Sequence, residues 1–233
     1  MNSKKVEYPL ILVNFKAYRE ATGGNALRLA KIAEKVNDET GVCISVAPQF
    51  CDIRLLAEEV ALPIFAQHVD PISFGGFTGS VLPEAIKEAG ATGTLINHSE
   101  KQLKISDIAK VIHMSKELGL TTVVCADSEL VSAALAALNP EIVSIEPPQL
   151  IGTGVAVSKA QPQLVTGTIK TVKSVNQEVH ILCGAGITSG EDVAAALRLG
   201  SEGVLLASGL VRAKDPKMVL LDMARAVLSC KSI

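Results

Sequence analysis

Three residues that could move protons each stand just past a short apolar, β-branched run. Lys16 follows Leu10–Val13 in Asn14-Phe15-Lys16, His98 follows Thr94–Ile96 in Asn97-His98-Ser99-Glu100, and Glu146 follows Ile142–Ile145. Taken singly these are weak signals, since a lysine there is as readily a solvated loop charge and a lone histidine is more often structural. Glu146 is the strongest of them. A carboxylate between Ile145 and Pro147-Pro148 is held rigidly at a strand end, where burial tunes it toward a general base.

Two small-residue loops complete the set. Gly184-Ala185-Gly186 and Ala207-Ser208-Gly209 end the last two apolar runs, and such segments let backbone N–H groups approach a phosphate. The stretch Pro147–Gly154 is longer than a minimal turn, with prolines at one end and Gly152-Thr153-Gly154 at the other, like hinges around a lid. Other readings fall away. His98-Ser99-Glu100 contains the HxE of zinc deaminases, but no PCxxC exists. Neither Gly-x-Gly pair continues to the third glycine of a dinucleotide site. His113, on a helical segment, and His180, at a strand entry, attract no role, and His68 reads as structural.

The elements that must position these groups alternate along the whole chain. Apolar runs recur at Leu10–Val13, Cys43–Val46, Leu62–Ala66, Thr94–Ile96, Thr122–Cys125, Ile142–Ile145, Val179–Leu182 and Gly203–Ala207. Continuous apolarity suits strands covered on both faces, as in a parallel sheet wrapped by helices. Helical segments lie between them: Asp215-Pro216 reads as an N-cap with proline at the first helical position, Thr188 with Glu191 as a capping box, and Pro83 as another helix start. Gly90, Gly119 and Gly200 each stop a helix about three residues before a strand. Repeats averaging about 29 residues imply a closed, eight-stranded parallel (β/α)8 barrel in one domain, residues 1–233, with a doubly wound open sheet as the alternative. In such a barrel every candidate above faces one mouth.

Composition bounds the rest. With 22 basic against 24 acidic side chains the chain is not built to grip nucleic acid. No apolar stretch reaches the ~18 residues of a membrane span, and the opening Met-Asn-Ser-Lys-Lys does not read as a signal peptide. The five cysteines, without a CxxC pair, read as reduced thiols in a cytoplasmic protein, with Cys43, Cys125 and Cys183 as small core hydrophobes.

The ordered set Asn14-Phe-Lys16, Asn97-His-Ser-Glu100, Ile145-Glu-Pro-Pro148 with Ile151-Gly-Thr-Gly154, Gly184-Ala-Gly-Ile187 and Ala207-Ser-Gly209 resembles the triosephosphate isomerase family, in its compact archaeal branch, over essentially the whole chain. The resemblance implies interconversion of D-glyceraldehyde 3-phosphate and dihydroxyacetone phosphate. Glu146 would be the base, His98 the neutral electrophile, Lys16 the fixed positive charge, Asn14 an orienting group, and Glu100 the support of that network. The phosphate would lie against backbone N–H groups of Ile151, Gly152, Gly186, Ala207, Ser208 and Gly209. No metal or organic cofactor is implied. Bacterial and eukaryotic members usually carry Tyr before the catalytic Glu and Trp in the lid hinge, where this chain has Ile145 and Gln149. The loop Phe74-Gly-Gly-Phe-Thr-Gly79 resembles the family's interface loop, with Thr78 directed at a neighbour's site. A homo-oligomer is therefore expected, a tetramer by resemblance to the short archaeal members and a dimer otherwise. The competing readings are another phosphate-binding barrel, such as an aldolase, and a sensor that binds triose phosphate without turnover. Against the aldolase, Lys16 lies past its strand and not on one.

Overall fold

Leu10 and Leu12 point one way from their strand and Ile11 and Val13 the other, and both pairs are fully buried. That double burial repeats around the molecule. The computed structural model describes residues 5–231, so the Met1–Lys4 segment read above as carrying no signal peptide lies outside the described residues. Eight strands form one sheet: β1 Leu10–Asn14, β2 Cys43–Ala47, β3 Phe65–Ala66, β4 Gly93–Ile96, β5 Thr121–Ala126, β6 Ile142–Ile145, β7 His180–Gly184 and β8 Gly203–Leu206. All pairings are parallel, in the order β2-β1-β8-β7-β6-β5-β4-β3. The sheet closes where Val46 bridges to Ile64. The open-sheet alternative is thereby excluded.

The expected strand Leu62–Ala66 is only two residues long. Pro63 has no N–H to give the ladder, so contact with β2 is reduced to the Val46–Ile64 bridge and the Val46 N–H to Pro63 carbonyl bond at 3.3 Å.

The helices are α1 Gly24–Thr40, α2 Ile53–Glu59, α3 Pro83–Glu88, α4 Ile105–Glu117, α5 Glu129–Ala136, α6 Val157–Ala160, α7 Pro162–Val175, α8 Gly190–Arg198, α9 Ser208–Val211 and α10 Pro216–Lys231. They cover the outer faces of the strands, where Ile11, Val13, Ile44 and Val46 meet Leu29, Val36, Val193 and Leu220. The inner faces fill the barrel with Leu10, Leu12, Phe65, Leu95, Val123, Leu182 and Leu205. Phe65 fits because its neighbour is Gly93, where a Cβ would come within 2.7 Å of the ring. The chain has no Trp and few other aromatics, so branched aliphatic side chains supply most of this volume.

Local signals are mostly where the sequence puts them. Asp215 caps α10 through Met218 N–H at 3.1 Å. Gly90, Gly119 and Gly200 take φ values of 98°, 63° and 98° after their helices, conformations that favour glycine. The expected Thr188–Glu191 capping box is corrected by one residue. Ser189 accepts from Asp192 N–H at 3.3 Å and Asp192 Oδ2 accepts from Ser189 N–H at 3.0 Å, while Glu191 turns outward to Lys159. Both Ser-x-x-Asp and Thr-x-x-Glu are present, but Asp192 also reaches Thr188 N–H and Oγ1, so the shorter side chain satisfies more donors. Cys43 is half-buried, not a core residue, because it begins its strand and accepts from Glu7 N–H at 3.3 Å, whereas Cys125 and Cys183 are buried. Among the described residues no helix is long and apolar enough to cross a membrane.

Candidate active site

Lys16 leaves β1 in a backbone conformation that L-residues rarely adopt, φ 47°. Three neighbours hold it there. Asn14 Oδ1 accepts its N–H at 2.9 Å, and the side-chain amides of Gln49 and Gln67 donate to its carbonyl at 2.8 and 2.9 Å. Asn97 (φ 59°) and Ala185 (φ 69°) are strained in the same way at the ends of β4 and β7. Three of the four non-glycine residues with positive φ among those described thus lie at one end of the barrel, as strain stored at a working site does.

The charged side chains then form one line. Lys16 Nζ donates to Glu100 Oε1 at 2.8 Å, Glu100 Oε2 lies 3.6 Å from His98 Nδ1, and His98 Nε2 lies 3.7 Å from Glu146 Oε2. The Glu100 backbone N–H also points at His98 Nδ1, at 3.2 Å. That nitrogen is therefore an acceptor, and a neutral ring carries its proton on Nε2, toward Glu146. Asn97 fixes the loop that presents the histidine: its amide donates to Cys125 O at 3.0 Å and its oxygen accepts from Leu103 N–H at 2.9 Å.

Glu146 is buried at the end of β6, tied to β5 by its N–H to Ala126 O at 2.8 Å. Burial raises its pKa, and the pull of His98, the adjoining Cys125 thiol and Lys16 does not fully offset it. Its Oε1 has no hydrogen-bond partner among the described residues. Cys125 is pushed up by its own burial and by Glu146 beside it, and Cys183 is pushed up to about 12, so neither thiol ionises near neutrality.

A cleft opens beside this line. Its lining includes Asn14, Lys16, His98 and Glu146 together with Ile151, Gly152, Gly186, Ala207, Ser208 and Gly209. At Gly186 a Cβ would collide with the Val155 carbonyl, and at Gly209 a Cβ would sit 3.0 Å from Thr188 Cα, so both loops pack too closely for side chains. Ser208 and Gly209 begin α9, where N–H groups have no acceptor within the helix. Ile151 N–H is held by Pro148 O at 3.2 Å in the turn Pro148–Leu150. Of the residues to which the resemblance assigns a catalytic or phosphate-binding role, only Glu100 stays outside the cleft lining, reaching it through Lys16 and His98.

Sequence reasoning passed over Gln49 and Gln67. Gln67 directly follows β3 and Gln49 stands two residues past β2, so the strand-end rule that found Lys16 and His98 would have found them. It also passed over Tyr18 and Thr188 in the cleft wall and Cys125 against the carboxylate, which read from the sequence as core. His68 is buried and paired with Asp70 at 3.0 Å, away from the cleft.

A family model for triosephosphate isomerase matches residues 9–227. The chain is 53% identical over 227 residues to the triosephosphate isomerase of Methanobacterium bryantii, covering 97% of this chain and all of that one. It is 54% identical over 218 residues to that of Methanothermus fervidus, covering 94% and 98% of the two chains. With that of Methanocaldococcus jannaschii it shares 52% over 218 residues, 94% of this chain and all of the other. The chain belongs to the triosephosphate isomerase family of isomerases.

Proposed function

We propose that this chain interconverts D-glyceraldehyde 3-phosphate and dihydroxyacetone phosphate through an enediol(ate), in glycolysis and gluconeogenesis, with Glu146 as the base. The observation that carries the reading is that Lys16, His98 and Glu146 line one cleft together with Gly152, Gly186, Ser208 and Gly209, while Glu100 ties Lys16 to His98 from outside it. Glu146 takes a proton from one carbon and returns it to the next. Its raised pKa supports this, because a base closer in strength to its task transfers the proton with less bias in either direction.

His98 donates from Nε2 to the substrate oxygens, its Nδ1 being taken up by the Glu100 N–H. Lys16 places positive charge where the enediolate oxygen develops, and Glu100 with Asn14 fixes its direction. The phosphate lies against the amides of Gly186, Ala207, Ser208 and Gly209, with Gly152 and Ile151 joining from the lid, the latter after the Pro148 turn releases its N–H. Closure of Pro147–Gly154 excludes water and hinders loss of phosphate from the enediolate.

The same reading makes residues 1–233 one domain of a cytoplasmic protein that self-associates, as a tetramer before a dimer. Supporting it, Phe74 and Phe77, in a chain poor in aromatics, are 76% and 47% exposed on the loop Phe74–Gly79. Light scattering at micromolar concentration should give a mass well above the 24.4 kDa of one chain; that mass alone would overturn this part. The activity is tested by adding glyceraldehyde 3-phosphate to the purified protein and following its signals by NMR without coupling enzymes. Rapid conversion to dihydroxyacetone phosphate is expected. Binding of a triose-phosphate analogue without conversion would replace the enzyme by a sensor.

A further inference from the structure

The lid is tied down at one end. Among the described residues, the hydrogen bonds of Pro147–Gly154 stay within residues 147–155, as where Thr153 N–H and its hydroxyl donate to Leu150 O at 3.3 and 2.9 Å. The residues that follow are bound instead to the loop after β7. Val155 packs so closely on Gly186 that a Cβ there would meet its carbonyl. Val157 N–H donates to Ala185 O at 3.3 Å, and the buried Ser158 hydroxyl donates to Asp192 O at 3.2 Å. Lys159 completes the series, its Nζ lying 2.9 Å from Asp192 Oδ1. The other oxygen of that carboxylate accepts the N–H and hydroxyl of Thr188 at 3.0 and 3.1 Å, and Thr188 lines the cleft. One buried carboxylate thus holds the anchor of the lid on one side and the cleft lining on the other.

We propose that Lys159 is a positioning residue: through Asp192 it locks the far end of the lid to the loop of Gly186 and Thr188, so that the phosphate end of the cleft is in place before the lid closes. The inference rests on the isomerase reading above, in which the phosphate lies against Gly186. Lys159 itself does not line the cleft. Its second partner, Glu191 at 2.8 Å, is 77% exposed and does not line the cleft either, so that pair is a solvated one of little weight. Asp192, only 6% exposed, is the partner that carries the link. With the anchor free, phosphate would have to order it on binding. That cost falls on the bound substrate and the transition state alike, so it appears in KM and not in kcat.

The test is steady-state isomerisation of glyceraldehyde 3-phosphate, with inorganic phosphate as a competing ligand. Lys159→Met keeps the length of the side chain and loses its charge. KM and the inhibition constant of phosphate should both rise by about fivefold or more, with kcat within about twofold. Lys159→Arg should restore both constants, and Glu191→Gln should change neither. Because KM does not depend on the fraction of active protein, a partly folded preparation does not distort the comparison. Unchanged constants in Lys159→Met, or a fall in kcat with KM unchanged, would overturn the link. So would a fall in KM in Glu191→Gln that mirrors the rise in Lys159→Met, since the effect would then belong to the field of the charge and not to the anchor. These outcomes leave the isomerase reading intact; no isomerisation by the unsubstituted protein would overturn both.

Discussion

The side chain of Glu146 occupies the space that a side chain on Gly184 would need: a Cβ at 184 would fall on Glu146 Cγ and 2.8 Å from its Cδ. Gly184 closes β7 beside β6 with an ordinary backbone conformation, so what matters there is the missing side chain, not chain flexibility. Gly184→Ala should cost about 1–3 kcal/mol of stability by overpacking. A carboxylate displaced by about 1 Å should cost ~10²-fold in kcat. Denaturation curves beside steady-state kinetics check both, and a folded variant with unchanged kcat would show that Glu146 has room to move.

The His98 ring offers a spectroscopic prediction. With Nδ1 accepting the Glu100 N–H at 3.2 Å, ¹⁵N shifts of the neutral imidazole should report the Nε2–H tautomer. His98→Gln keeps a donor but loses the ring's proton relay, and kcat should fall by roughly 10²-fold or more.

Burial of Glu146 sets a pH dependence whose sign is fixed. Its pKa is raised in the folded state, so the native protein holds this proton at pH values where the unfolded chain has released it. Its contribution to stability is therefore present below the ordinary carboxylate range and lost as pH rises through the folded pKa. Glu146→Gln removes that penalty and should raise Tm at neutral pH, with the gain shrinking as the pH is lowered. The acid limb of kcat/KM in the unsubstituted protein should lie above the range of an exposed carboxylate.

Asp192 carries the opposite dependence. Its own burial would raise its pKa, but the Lys159 ammonium at 2.9 Å, the Thr188 N–H and the hydroxyls of Ser189 and Thr188 outweigh that and hold it low. Its contribution is present above the ordinary Asp range and lost as pH falls through its folded pKa. Asp192→Ala should cost roughly 2–3 kcal/mol at pH 7, read by urea denaturation. It should raise KM more than it lowers kcat, because Thr188 then loosens in the cleft wall.

Ser208→Asp separates phosphate binding from chemistry. A carboxylate at the start of α9 would repel the phosphate, raising KM by about tenfold or more with a smaller effect on kcat. A change in kcat alone would move the phosphate elsewhere.

The barrel and the gathering of Lys16, His98 and Glu146 at one candidate cleft were legible in the sequence because both follow from position along a repeated unit. Runs buried on two faces mark strands, and polar residues just past them mark the mouth, which is how Lys16, His98 and Glu146 stand out. Two kinds of feature were hidden. The first is the choice between near-equivalent local signals: Thr188–Glu191 and Ser189–Asp192 both match a capping box, and only tertiary contact with Lys159 and the Thr188 hydroxyl decides between them. The second is support at a distance. Gln49 and Gln67 stand at strand ends that the same rule picks out, but their role, donating to the strained carbonyl of Lys16, shows only once the loops are brought together. Cys125 looked like any core cysteine until Glu146 was found against it.

The central claim is that Glu146 moves the proton, and kcat of Glu146→Gln tests it most directly, measured beside affinity for a non-isomerisable triose-phosphate analogue. Removing the base while keeping the size and the phosphate loops should lower kcat by about 10²–10⁴-fold or more and leave analogue affinity within a few-fold. Turnover close to that of the unsubstituted protein would contradict the account at its root.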